Sequence, residues 1–132
     1  MNSFSGHITG IRTHDALALV TVRVDPHTFE AIVIDDPETS AYLRTNSPVQ
    51  VQFKETEVII TTAKAPVVSL RNRIEGHISA IEKGRLLSRL TIQTAIGNLV
   101  SIISTDAAVE LGLEKSSPVT AMVKLNEIIL AP

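Results

Sequence analysis

Apolar and polar residues alternate along most of this chain in short runs, the period-two signature of strands with one buried face. Ile74, Gly76, Ile78 and Ala80 alternate with polar neighbours and predict a first strand. Leu86 to Thr94 predicts a second, with Leu90 and Ile92 inward and Arg89, Thr91 and Gln93 outward. Gly97-Asn98 reads as a tight turn leading to a third strand, Leu99 to Ile103. Asp106 then reads as the N-cap of a short helix through Leu111, with Gly112 where a left-handed C-terminal residue is wanted. Val119 to Lys124 and Ile128 to Leu130 predict two closing strands.

The same order occurs once before. Displaced by 70 positions, the sequence falls on itself without gaps: Gly6-His7-Ile8 on Gly76-His77-Ile78, Leu43 on Leu113, and Ser47-Pro48-Val49 on Ser117-Pro118-Val119. Lys54, Glu57 and Ile59 fall on Lys124, Glu127 and Ile129. Such self-similarity marks a duplicated unit. In the first copy Asp36-Pro37 reads as N-cap and first helical residue. Three strands, a helix and two strands is the order of a five-stranded OB-type barrel. The expected fold class is therefore all-β with short helices, as two tandem five-stranded OB-like barrels. The first barrel covers residues 1–62 and the second 69–132, with 63–73 as linker. One ten-stranded sandwich is the alternative, which the repeated helix punctuation disfavours. Barrels of this kind bind oligonucleotides, sugars and small anions alike, so the fold leaves function open.

Composition narrows the choice. Among 132 residues there is no cysteine, which excludes disulfides, thiolate zinc sites and a cysteine nucleophile. A formal net charge of −2 argues against binding a nucleic-acid backbone, and 3% aromatic residues against stacking on single strands. The longest apolar run, Ala16 to Val20, is far short of a membrane span, and the first residues do not read as a signal peptide. The expectation is a cytoplasmic protein without membrane insertion.

Enzyme signatures are missing: no nucleophile elbow, phosphate loop, dinucleotide fingerprint or His-Glu-x-x-His pair occurs, and a non-enzyme is expected. His7 and His77 are equivalent, but no second ligand recurs beside either, which favours structural or surface roles over metal. Lys54 and Lys124 each end an apolar strand, with a Glu three residues on. That spacing fits a surface ion pair or a lysine facing an anion at a barrel rim. Ser69-Leu70-Arg71-Asn72-Arg73 sets a hydroxyl, a guanidinium and an amide before the second barrel. Alternation puts Ser69, Arg71 and Arg73 on one side, either as a solvated basic linker or as donors for a tetrahedral oxyanion.

These segments resemble the Mop family, the molbindins or molybdenum-pterin-binding domains of TOBE type. The resemblance rests on Ser69-Leu70-Arg71-Asn72-Arg73-Ile74-Glu75-Gly76 and on Ile103-Ser104-Thr105 followed by Val109-Glu110-Leu111-Gly112-Leu113. It extends to Val119-Thr120-Ala121-Met122-Val123-Lys124 with Glu127-Ile128-Ile129-Leu130, so it covers nearly all of 69–131. It implies non-catalytic binding of molybdate or tungstate, for storage, buffering or sensing, with Ser69, Arg71, Asn72, Ser104 and Lys124 as contacts. It also implies a homo-oligomer, a trimer or dimer of tandem chains. Because Ser69 and Arg71 stand at the opposite end of the copy from Lys124, a second chain is expected to close the site. Other readings are a regulatory module contacting a molybdate-transport ATPase or a molybdate-responsive regulator, and an OB-type oligonucleotide binder. Two departures stand out: Gly84-Arg85-Leu86-Leu87 replaces a small polar run, and Leu125-Asn126 follows Lys124 where a small residue is usual. In the first copy only Asn2 remains of the opening motif and Ile34 replaces Ser104. That barrel is expected to be degenerate, with Lys54 its one retained candidate.

Overall fold

The computed structural model describes every residue except Asp35, Asp36 and Thr39. Ten strands form two curled five-stranded antiparallel sheets. The first repeat supplies β1 (Asn2–His14), β2 (Leu17–Val24), β3 (His27–Val33), β4 (Pro48–Phe53) and β5 (Ile59–Thr61). The second supplies β6 (Asn72–Lys83), β7 (Leu87–Thr94), β8 (Gly97–Ser104), β9 (Pro118–Val123) and β10 (Ile129–Ala131). A 3₁₀ turn, Glu55–Glu57 or Leu125–Glu127, precedes each last strand.

The sheets do not coincide with the repeats. One has the order β10-β4-β1-β2-β3 and the other β5-β9-β6-β7-β8. Each takes its fifth strand from the other repeat: Leu130 pairs with Val51, and Ile60 with Ala121. Units 1–62 and 69–132 are repeats of sequence, and each sheet contains residues of both.

Long first strands do most of the curling. Each of β1 and β6 pairs along its first half with β4 or β9 and along its second with β2 or β7. A bulge at Thr9 and at Ser79 lets it serve both partners. The bulge also reverses the alternation: Ile78 is buried, Ala80 is exposed, and Ile81 packs on the core instead. The run of alternation predicted through Ala80 thus ends at Ile78. Next to it, Gly76 is held against β7 so closely that a Cβ would lie 2.4 Å from the Gln93 carbonyl oxygen; for Gly6 the corresponding Arg23 oxygen lies at 2.5 Å.

The three phenylalanines gather in one place. Phe4, Phe29 and Phe53 are buried together, with ring centroids 6.0 Å and 6.2 Å apart, whereas the equivalent residues Ile74, Leu99 and Val123 fill the second repeat without rings.

Two local expectations are corrected. The turn between β7 and β8 is Ala95-Ile96, because Thr94 pairs with Gly97, whose φ of +116° suits the position just after the turn. The helix α1 (Thr105–Glu110) is capped by Ser104, whose hydroxyl accepts from the Ala107 N–H, while Asp106 lies inside its first turn. Gly112 takes the left-handed conformation expected of it, with φ +64°. The first repeat has no α-helix among its described residues, and its expected N-cap, Asp36, lies outside them. Arg44 there donates to the carbonyls of Pro37, Ser40 and Leu43, satisfying loop acceptors with a side chain where the second repeat uses helical bonds.

Candidate functional site

Two buried asparagines fasten the halves together. Asn72, 2% exposed, is the first residue of β6. Its Nδ2 donates to the Glu30 carbonyl at 2.9 Å, and its Oδ1 accepts from the Glu30 N–H at 2.8 Å. Thus the side-chain amide pairs with β3 as a further strand residue would. Asn2 repeats the arrangement on β8, with both bonds to Val100 at 2.8 Å. Positions 2 and 72, and 30 and 100, are each related by the 70-residue repeat, so the molecule has two equivalent seams.

At the Asn72 seam the chain collects charge. Arg71 meets the Glu30 carboxylate, with Nε 3.3 Å from Oε2 and a terminal nitrogen 3.4 Å from Oε1. Arg71 remains largely exposed while Glu30 is mostly covered. On the neighbouring strand, Asn72 pairs with Val123 in the antiparallel β6–β9 ladder. One step beyond that pair stand Arg71 and Lys124. Antiparallel pairing therefore brings the two ends of the repeat to one end of a single ladder, and the expectation that they lie apart within a chain is corrected. Lys124 is exposed and extended, with φ −71° and ψ +149°, and its carbonyl accepts from the Glu127 N–H at 3.0 Å. The turn that follows it packs against β3.

The linker is held from within. Arg73 donates to the carbonyls of Leu70 at 2.6 Å and of Pro66 and Val68 at 2.9 Å. It is committed to the backbone of the linker, a different task from that of Arg71. Ser69 is exposed two residues before Arg71.

Ser104 and Lys54 belong to the other seam. Lys54 precedes the Glu55–Glu57 turn, which packs against β8, and Ser104 ends β8. Ser104 lines a largely apolar cleft of about 370 Å³ with Thr56, Ile60, Ile103 and Leu111. There the N-terminal ammonium occupies the place equivalent to Arg71 and lies 2.9 Å from Glu55 Oε1, holding that carboxyl below the usual carboxylate range. The five residues expected in one site are therefore divided. Ser69, Arg71, Asn72 and Lys124 share one seam, with the Asn72 side chain committed to Glu30, and Ser104 sits at the other.

Glu30 was absent from the sequence-derived set. The repeat itself carries a partial signal, since Asn2 and Asn72 are equivalent, but the partner 42 residues away has no local mark. No group of three or more His, Cys, Asp or Glu that could hold a metal occurs among the described residues. His7 and His77 are exposed on their strands. No helix among the described residues is long and apolar enough to cross a membrane.

Residues 69–130 match the TOBE domain. Molybdenum-pterin-binding proteins 1 and 2 of Clostridium pasteurianum are 31% and 33% identical over 64 residues, which span 48% of this chain and 94% of each relative. The molybdenum transport protein ModE of Azotobacter vinelandii is 26% identical over 98% of this chain and 49% of its own length. The crystal structure of the cytoplasmic molybdate-binding protein ModG with molybdate bound superposes with a TM-score of 0.92, covering 98% of this chain and 94% of that one at 24% identity. At that identity the likeness establishes the tandem fold.

Proposed function

This chain belongs to the family of Mop-type molybdenum-pterin-binding proteins, whose TOBE domain it carries, and from that premise we propose that it binds molybdate or tungstate reversibly, without catalysis. The observation that carries the reading is the β6–β9 ladder, whose last pair is Asn72 with Val123, so that Arg71 and Lys124 each stand one residue beyond the same end of it. A guanidinium and an ammonium offset the two charges of the anion, and the exposed Ser69, two residues before Arg71, offers a hydroxyl donor. Asn72 contributes by fixing the frame. Such contacts are non-covalent, which suits a cytoplasmic protein that stores, buffers or senses the oxyanion and must release it again.

Calorimetric titration of molybdate tests the reading. Wild type is expected to bind, and Arg71→Ala and Lys124→Ala each to bind about tenfold more weakly, the loss of one charge-assisted contact. Equal affinity in a variant removes that residue from the site.

Because Ser104 lies at the other seam, a site using both Ser104 and Arg71 takes one of them from a second chain. A homo-oligomer is proposed on that ground, and native mass spectrometry with added molybdate reads subunits and bound ions together. The end-to-end match to half of ModE favours a second reading, a module within molybdenum transport or its regulation. Molybdate-dependent capture of a protein partner would support it, and identical pull-downs with and without the ion would count against it.

A further inference from the structure

We propose that Glu30 is a built-in competitor of the oxyanion, a carboxylate that occupies Arg71 when no ligand is bound and sets how tightly the site holds its ion. The inference rests on the reading of Arg71 as an oxyanion contact and adds the residue that regulates it. Three observations carry it. Glu30 engages the Arg71 fork with both carboxylate oxygens, at 3.3 and 3.4 Å, the two-point geometry that a tetrahedral oxyanion would also use. Its position is set by the neighbouring residue, because Asn72 holds the Glu30 backbone at 2.8 and 2.9 Å, so the carboxylate is presented to residue 71 by design of the seam. Finally, the carboxylate is dispensable for that seam. At the equivalent place Asn2 makes the same two bonds to Val100, which has no charge to offer.

The consequence is an exchange. A bound dianion must draw Arg71 away from Glu30, which remains close by as a negative charge. Both effects weaken binding and hasten release, as a buffering or sensing protein requires. A pair whose Arg71 stays largely in solvent is weak, so the competition modulates affinity rather than abolishing it.

The test is calorimetric titration of sodium molybdate into wild type, Glu30→Gln, Glu30→Val, Arg71→Ala and the double variant Glu30→Gln/Arg71→Ala. Glu30→Val copies the residue that the other seam already accommodates, so it guards against a folding defect in Glu30→Gln. Removing the carboxylate is expected to tighten binding by about three- to tenfold. In the Arg71→Ala background the gain is expected to shrink to the part that comes from the nearby negative charge alone. Unchanged or weaker binding in both single Glu30 variants overturns the proposal, as does a gain that persists undiminished without Arg71, since Glu30 would then act by plain repulsion. A merely structural Glu30 would weaken binding, never tighten it. Wild type that fails to bind molybdate at all defeats the underlying reading, an outcome distinct from the others.

Discussion

Asn72 shows how much one side chain can decide. Its amide satisfies both the N–H and the C=O of Glu30, so Asn72→Ala leaves two backbone groups without partners at a part-buried seam. A loss of about 2–3 kcal/mol is expected, seen as a lowered midpoint in chemical denaturation. The resemblance implied a ligand contact here, and the geometry gives the side chain a different employer. The reason is physical: an asparagine before a strand reads the same whether it pairs with an ion or with a distant backbone, and only the tertiary fold chooses. Arg71 and Arg73 divide in the same way, one meeting a carboxylate and the other three carbonyls. A separate residue-scale expectation concerns Asp25. Arg23, hydrogen-bonded to it at 2.7 Å, holds its carboxyl below the usual range. The folded state therefore gains stability from this pair above the ordinary carboxylate pKa and loses it as pH falls through the lowered one. Asp25→Asn is expected to flatten that small acid-side dependence, measured by denaturation across a pH series.

At the scale of elements, period-two alternation located nearly every strand of the second repeat, because each sheet buries one face and the side chains must comply. It failed at Ser79, where a bulge inserts a residue and transfers the inward position from Ala80 to Ile81. The turn at Ala95-Ile96 was misplaced by two residues because its glycine sits after the turn, not in it. Gly76 was legible as a repeated residue, while the reason for it, a backbone carbonyl that would lie 2.4 Å from any Cβ, depends on the strand beside it. Gly76→Ala is expected to destabilise by about 3 kcal/mol through forced separation of β6 from β7, read as a fall in the denaturation midpoint. Gly10 meets nothing closer than 3.8 Å, so Gly10→Ala is the control that should change stability little.

Across the whole molecule, the decisive feature is the exchange of last strands. The 70-residue repeat announced two similar units, but Ile59-Ile60-Thr61 and Ile129-Leu130-Ala131 offer the same short apolar pattern to either sheet. Nothing local could say which strand each would join. Deleting residues 129–132 is expected to strip β4 of its outer partner, so amides of the first repeat around Val51 should lose hydrogen-exchange protection. Two independent barrels would show the loss in the second repeat alone. The same closure of distant ends brings Arg71 and Lys124 to one end of the β6–β9 ladder, which is the basis for reading the seam as an oxyanion site. The most direct measurement is a crystal structure grown with molybdate and recorded at the molybdenum absorption edge. An anomalous peak is expected within hydrogen-bonding distance of the Arg71 guanidinium and the Lys124 ammonium. A peak lined by neither residue would contradict that reading.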